Sequence, residues 1–203
     1  MVQLRVLQDP RDVFSKNAIP RGSAKAGMIQ ENGWLLAAFL AAWAGALDWK
    51  YRRIPNWLTV SGLLAGIAVN VFMTGWPGAK AALLGAGLGL LILLPFVLIK
   101  ALGGGDWKLI GAVGACLGPA RLIEVLIGSM LVAGVMAIGM IIYKGRVRQA
   151  LGNMAHMLRA FLTLHLPGPE VSLDNPEAVK IPFGVAVAFT ILFFGMRRVF
   201  GGA

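Results

Sequence analysis

Only nine of the 203 residues are acidic, only one is a cysteine and only two are histidines. Each scarcity closes off a class of protein. With Cys116 alone, neither an intramolecular disulfide nor a four-cysteine zinc module can form. His156 and His165 have no flanking cysteine or acidic partner, so they read as surface histidines; no metal and no cofactor is expected. Charged residues of both signs amount to 14% of the chain against 58% hydrophobic residues, and the mean hydropathy is +0.74. Such a balance lies far from that of a water-soluble domain. The chain reads as an all-α integral membrane protein, with room for about six transmembrane helices of roughly 20 residues each in one bundle. Its formal charge of +10 belongs to loops and tails beside lipid headgroups, which makes membrane lipids the expected partner and nucleic acid an unexpected one. The stretch "GAGLGL" from Gly85 invites comparison with a nucleotide loop, but no strand precedes it and Leu90 holds the sixth position.

Residues 1–32 form a polar, mixed-charge N-terminal tail, read as flexible, without the basic start and apolar core of a secretory signal. Met28, which opens the segment leading into the first apolar run, is an alternative start. From 33 to 199 the chain reads as one polytopic domain. Apolar runs predict spans at about 33–48, 57–76, 79–99, 107–119, 122–143 and 181–199. The fourth is short, a half-buried helix whose start dips below the headgroups. Glycines four apart, at Gly62 and Gly66, Gly85 and Gly89, and Gly114 and Gly118, predict close helix packing. Near 146–164, Val147, Leu151, Met154, Leu158 and Phe161 fall at helical spacing opposite Arg148, His156 and Arg159. That pattern suggests a basic amphipathic segment on the cytoplasmic membrane face, or else a plain extension of the fifth span.

With both ends outside, the cytoplasmic loops hold Lys50, Arg52, Arg53, Lys100, Lys108, Lys144, Arg146, Arg148, Arg159 and Lys180, while the short outer loops hold Lys80 and Arg121. That is a positive-inside bias, opposed by the basic tail and by Arg197 and Arg198. Of the nine acids, Asp48, Asp106 and Glu124 lie at or inside the bundle. Glu124 reads as structural, placed in the first turn of the fifth span where the helix dipole favours an anion. Asp48 closes the first span and Asp106 opens the fourth, so both carboxylates meet the same face. Two carboxylates that close cannot easily both ionise; one then serves as base on a water and the other as acid toward a carbonyl. Taken singly, Asp106 could be an ordinary helix cap and Asp48 an interfacial ion pair. Taken together they leave a protease dyad or a proton or cation relay.

The residues around the two acids carry a resemblance. "LDWKYRRIPNWLT" resembles the first motif of the type IV prepilin peptidases, an Asp followed by basic residues and then Ile-Pro-Asn. "GGGDWKL" is similar to their GxGD motif, shared with other intramembrane aspartyl proteases, and "IPFGVAVA" resembles their C-terminal Pro-Phe-Gly block. The resemblance implies Asp48 and Asp106 as the catalytic pair. Arg53, Ile54, Pro55, Asn56, Gly103, Gly105, Lys108, Pro182 and Gly184 are the matching motif residues. Glycines at 103 and 105 suit a backbone turn that no Cβ would tolerate and a close peptide approach. The implied substrate is a prepilin or pseudopilin with a basic leader and a hydrophobic helix, cleaved at the cytoplasmic face of the inner membrane. Larger members of the family carry a cysteine-rich cytoplasmic segment between their first two spans and methylate the new N-terminus. Here Lys50 to Asn56 fills that position, so peptidase activity without methyltransferase activity is expected, as in the small enzymes of tight-adherence (Flp) pilus systems. The competing reading is a small proton- or cation-coupled transporter subunit using Asp48 and Asp106 as a relay.

Overall fold

The computed structural model describes residues 21–98, 102–145, 152 and 182–200. Among them are six α-helices and no strand: α1 (Arg21–Tyr51), α2 (Asn56–Thr74), α3 (Trp76–Leu98), α4 (Gly104–Leu117), α5 (Pro119–Tyr143) and α6 (Phe183–Phe200). Three of them, α2, α3 and α5, are long and apolar enough to cross a membrane. The expected amphipathic segment near 146–164 lies, apart from Gly152, outside the described residues, as do residues 1–20 of the tail.

Helix α1 departs most from expectation, beginning at Arg21 inside the stretch read as flexible tail. Ala24, Lys25, Ala26, Met28, Gln30 and Glu31 are good helix formers, and nothing between Arg21 and the apolar run breaks the helix. Apolar length locates a span but not the polar turns that extend it. Elsewhere the boundaries fall within a few residues of the expected ones and follow the punctuation. Pro55 is the N-cap of α2, Pro119 opens α5, and Gly75 and Gly118 end α2 and α4 with positive φ values of 68° and 77°. Because α5 starts at Pro119, Glu124 stands beyond its first turn. Its neighbour is Arg121, three residues back, so the dipole argument for Glu124 gives way to an i, i+3 charge pair.

The shortest helix is the centre of the bundle. At about 21 Å, α4 is too short to cross roughly 30 Å of hydrocarbon unaided. It packs against all five other helices, and every residue from Leu109 to Cys116 is buried. Small residues make this possible. A Cβ on Gly85 would run into the Gly114 carbonyl and one on Gly114 into the Gly85 carbonyl, so α3 and α4 touch backbone to backbone. A Cβ on Gly66 would lie 2.9 Å from the Cys116 amide nitrogen, and one on Gly89 2.9 Å from Ile110. Gly62 likewise faces Leu40. Gly118 is the exception among the paired glycines: its nearest neighbour would be 4.0 Å away, and its φ of 77° is what requires glycine.

The outside of the bundle is apolar. Leu35, Phe72, Leu91, Leu98, Val135 and Ile138 are all exposed, far beyond what a protein surface facing water carries. Exposed Trp49, Tyr51, Trp57 and Tyr143 ring one end and Trp76 marks the other, as aromatic side chains do at membrane interfaces. The protein is a membrane protein.

Candidate active site

Asp48 stands in the last turn of α1 and Asp106 in the first turn of α4, which puts both at the end of the bundle ringed by Trp49, Tyr51 and Trp57. They are close enough for the charge on Asp48 to act on Asp106. Asp48 is buried, at 6% exposure, and its Oδ2 accepts a hydrogen bond of 2.9 Å from the backbone N–H of Gly184. That N–H belongs to the first turn of α6, where amides have no partner within the helix. The C-terminal motif thus reaches the first acid across 136 residues of sequence. Asp106 is half-buried, and its Oδ1 is buried without a hydrogen-bond partner in the protein.

Ile54 is the piece that joins the motifs. A Cβ on Gly105 would lie 3.2 Å from the Ile54 Cβ and carbonyl oxygen, and a Cβ on Gly184 3.1 Å from the Ile54 Cδ1 and from Asp48 Oδ2. Ile54 is buried between the two glycines and so fixes α4 and α6 against the α1–α2 turn. Gly103 makes room of another kind, since a Cβ there would sit 3.1 Å from Asp106 Oδ2. Its φ of −69° and ψ of 141° are open to any residue. The glycines of this motif therefore serve close approach; the backbone freedom expected of them is not needed at Gly103. Asn56 and Lys108 also meet, Lys108 Nζ donating to Asn56 Oδ1 at 2.9 Å.

The turn after Asp48 is strained. Arg52 has a φ of 53° and its N–H closes on the Asp48 carbonyl at 2.9 Å. A left-handed residue here ends α1 abruptly and sends Arg53, Ile54 and Pro55 back toward the site. The Arg52 charge acts on Asp48. Beside it, Leu47, Tyr51, Arg53, Ile54, Pro55 and Asn56 line an open pocket of about 390 Å³. Pro182 is fully buried just ahead of α6, and its carbonyl accepts from Val185 at 3.2 Å. Among the described residues no three His, Cys, Asp or Glu side chains gather that could hold a metal ion.

Two contributors were not singled out in the sequence. Trp107, beside Asp106, donates its indole N–H to the Leu90 carbonyl at 2.7 Å, one residue from the Leu91 carbonyl that Pro95 cannot use. Asn70 Nδ2 reaches the carbonyls of Ala115 at 2.9 Å and Cys116 at 3.3 Å, covering the C-terminal end of α4. A lone amide within an apolar run was the available signal.

The type IV leader peptidase family profile matches residues 34–138, just over half of the chain, a stretch that contains both acids. Three proteins named prepilin leader peptidase/N-methyltransferase are similar. That of Aeromonas hydrophila is 34% identical over 60% of this chain and 46% of its own length. That of Xanthomonas campestris pv. campestris is 33% identical over 56% and 42%, and that of Burkholderia pseudomallei strain 1026b is 38% identical over 56% and 38%. The matched region spans less than half the length of these relatives. No solved structure matches the chain significantly.

Proposed function

The chain belongs to the type IV leader peptidase family, and from that premise we propose that it is a membrane-embedded aspartyl endopeptidase removing the leader of type IV prepilins or pseudopilins, with Asp48 and Asp106 as its catalytic pair. The observation that carries this reading is their convergence at one end of the bundle, within electrostatic reach of each other. Asp48 is anchored by Gly184, and Asp106 keeps one buried oxygen free of protein partners. In the productive state the pair holds one proton. The ionised carboxylate removes a proton from water as that water attacks the scissile carbonyl. The protonated carboxyl gives its proton to the carbonyl oxygen. As the tetrahedral gem-diol collapses, the amine leaves with the proton gained by the base, while a diol hydroxyl returns its proton to the other carboxylate and restores the singly protonated pair.

Cleavage takes place on the cytoplasmic side of the inner membrane, the side that receives the basic α1–α2 and α5–α6 connections when both chain ends lie outside. Six spans follow from this arrangement, with the short α4 reaching across the bilayer in the shelter of its neighbours. The basic leader of the substrate stays in water while its hydrophobic helix lies against the apolar flank of the bundle. Its similar relatives are named for peptidase and N-methyltransferase functions together. In this chain only Arg52 to Pro55 joins α1 to α2. That leaves no room there for the cysteine-rich segment of the larger enzymes, so we read the protein as a peptidase of the Flp type without methyltransferase activity.

The test is co-expression with an Flp-type prepilin, read by gel mobility and by mass spectrometry of the new N-terminus. Leader loss without the methyl increment of roughly 14 Da, one CH2, is the expected result. Unshortened prepilin in the presence of correctly inserted protein, together with ion flux that depends on the two acids, would transfer the pair to a relay.

A further inference from the structure

A second polar cluster sits at the end of the bundle opposite the carboxylates. Trp34 lies fourteen residues before Asp48 in α1, about 21 Å away along the helix. The Arg198 guanidinium carbon, from the last turn of α6, stands 4.7 Å from the centroid of the Trp34 ring, a cation–π distance. Trp34 is 6% exposed, so its indole is a fixed floor for that guanidinium. Arg121 comes from the start of α5, is half-buried and is held by interactions within the protein. Its charge and that of Arg198 act on each other.

Helices α5 and α6 pack with Gly128 against Thr190 and Phe194, which brings the start of one near the end of the other. Arg121 and Arg198 therefore share one rim of the bundle, where like charges repel and an anion is favoured. Glu124 also acts on Arg121, yet Arg121, Arg197 and Arg198 still outnumber it three to one. The N-terminus of α5 opens at the same place. Gly118 supplies no side-chain cap there, and the first-turn amides favour an anion. Exposed Leu35, Ile123 and Met196 lie in the same turns of α1, α5 and α6, so the flank of the bundle beside these charges is apolar. A phosphate on a hydrocarbon tail fits both halves of this surface.

We infer that Arg121 and Arg198 bind the phosphate of an anionic phospholipid headgroup at the end of the bundle opposite Asp48 and Asp106, with the acyl chains along the adjoining apolar flank of the bundle. The site also accounts for arginines at the face that the positive-inside arrangement leaves poor in cations, since a bound phosphodiester neutralises them. It stands on the membrane embedding and is independent of the peptidase reading.

The test uses the full purified chain in neutral detergent. Added phosphatidylglycerol is expected to raise the melting temperature while phosphatidylcholine does not, and native mass spectrometry is expected to retain phosphatidylglycerol. In the Arg121→Gln/Arg198→Gln variant binding weakens at least tenfold, whereas Arg121→Lys/Arg198→Lys keeps most of it. An unchanged phosphatidylglycerol response in the Gln variant overturns the assignment. Inorganic phosphate and glycerol 3-phosphate at matched concentration distinguish the source: no shift is expected, and a full shift assigns the site to a soluble phosphate and overturns the lipid. Should the Gln variant not fold, salt decides on the natural chain: the phosphatidylglycerol shift shrinks as ionic strength rises, and a shift indifferent to salt overturns the charge-based site.

Discussion

Replacing Asp48 or Asp106 with Asn keeps size and polarity and removes the exchangeable acid proton. Each substitution is expected to lower leader cleavage by a factor on the order of 10²–10⁴, the range for loss of a general acid or base. The losses are not additive in the double variant, because neither carboxyl works without the other. Single-turnover cleavage in membranes, with protein level checked by blot, measures this; two variants of normal rate would remove the pair from catalysis. Gly184→Ala is the subtler probe. The N–H donated to Asp48 survives, but the new Cβ falls 3.1 Å from Asp48 Oδ2 and from Ile54 Cδ1, so the carboxylate must shift by a few tenths of an ångström. We expect kcat to drop by up to about 10²-fold with KM little changed, since misplacement by about 1 Å has such consequences. At this scale the sequence was readable where chemistry is scarce: an ionisable side chain among so many apolar residues stands out. The hydrogen bond from Gly184 was not readable, because a backbone amide leaves no trace in residue type.

Among the helices, α4 depends on its neighbours for everything its length denies it. Gly85→Val would drive a side chain into the Gly114 carbonyl and force α3 from α4. A cost of about 1–3 kcal/mol is expected from overpacking of this kind, visible as a lower melting temperature in detergent. Activity would fall with it, as α4 carries Asp106. Asn70→Leu attacks the other end of the same helix, stripping an amide donor from the Ala115 and Cys116 carbonyls. Between about 0.6 and 2 kcal/mol is expected to be lost, the range for interhelical hydrogen bonds in membranes. Because Asn70 stands about 20 Å from the catalytic end along its helix, kcat of the folded fraction should remain unchanged, and a large fall in kcat at full stability would give Asn70 a role in the chemistry. Helix existence and order followed from apolar runs between prolines and glycines. The glycine spacing also pointed to packing, yet it did not distinguish Gly114, pressed against Gly85, from Gly118, which is needed for its dihedral angle. Both look alike in a four-residue repeat, and only the partner backbone separates them.

For the molecule as a whole, the legible and illegible parts divide along the membrane normal. Hydropathy marks where chain enters lipid, so α2, α3 and α5 fall close to their expected limits, while α1 runs on through polar turns that hydropathy ignores. The side of the membrane is a separate matter, carried only by charge counts, and there Arg121, Arg197 and Arg198 oppose the loops. Labelling can decide between them. Cys116 is buried at 3% exposure and its sulfur is packed beside Gly66, so Cys116→Ala gives a silent background with a small expected loss of packing. On that background, single cysteines at Lys80, one turn into α3 beside Trp76, and at Lys144, just past Tyr143, lie at opposite ends of the bundle. If the catalytic end faces the cytoplasm, a membrane-impermeant maleimide added to intact cells with a permeabilised outer membrane labels Lys80→Cys and spares Lys144→Cys until the inner membrane is broken. The reverse pattern would place the carboxylate pair on the outer face, where a leader kept in the cytoplasm could never reach it. A single experiment therefore tests the topology and the access of substrate to Asp48 and Asp106 together.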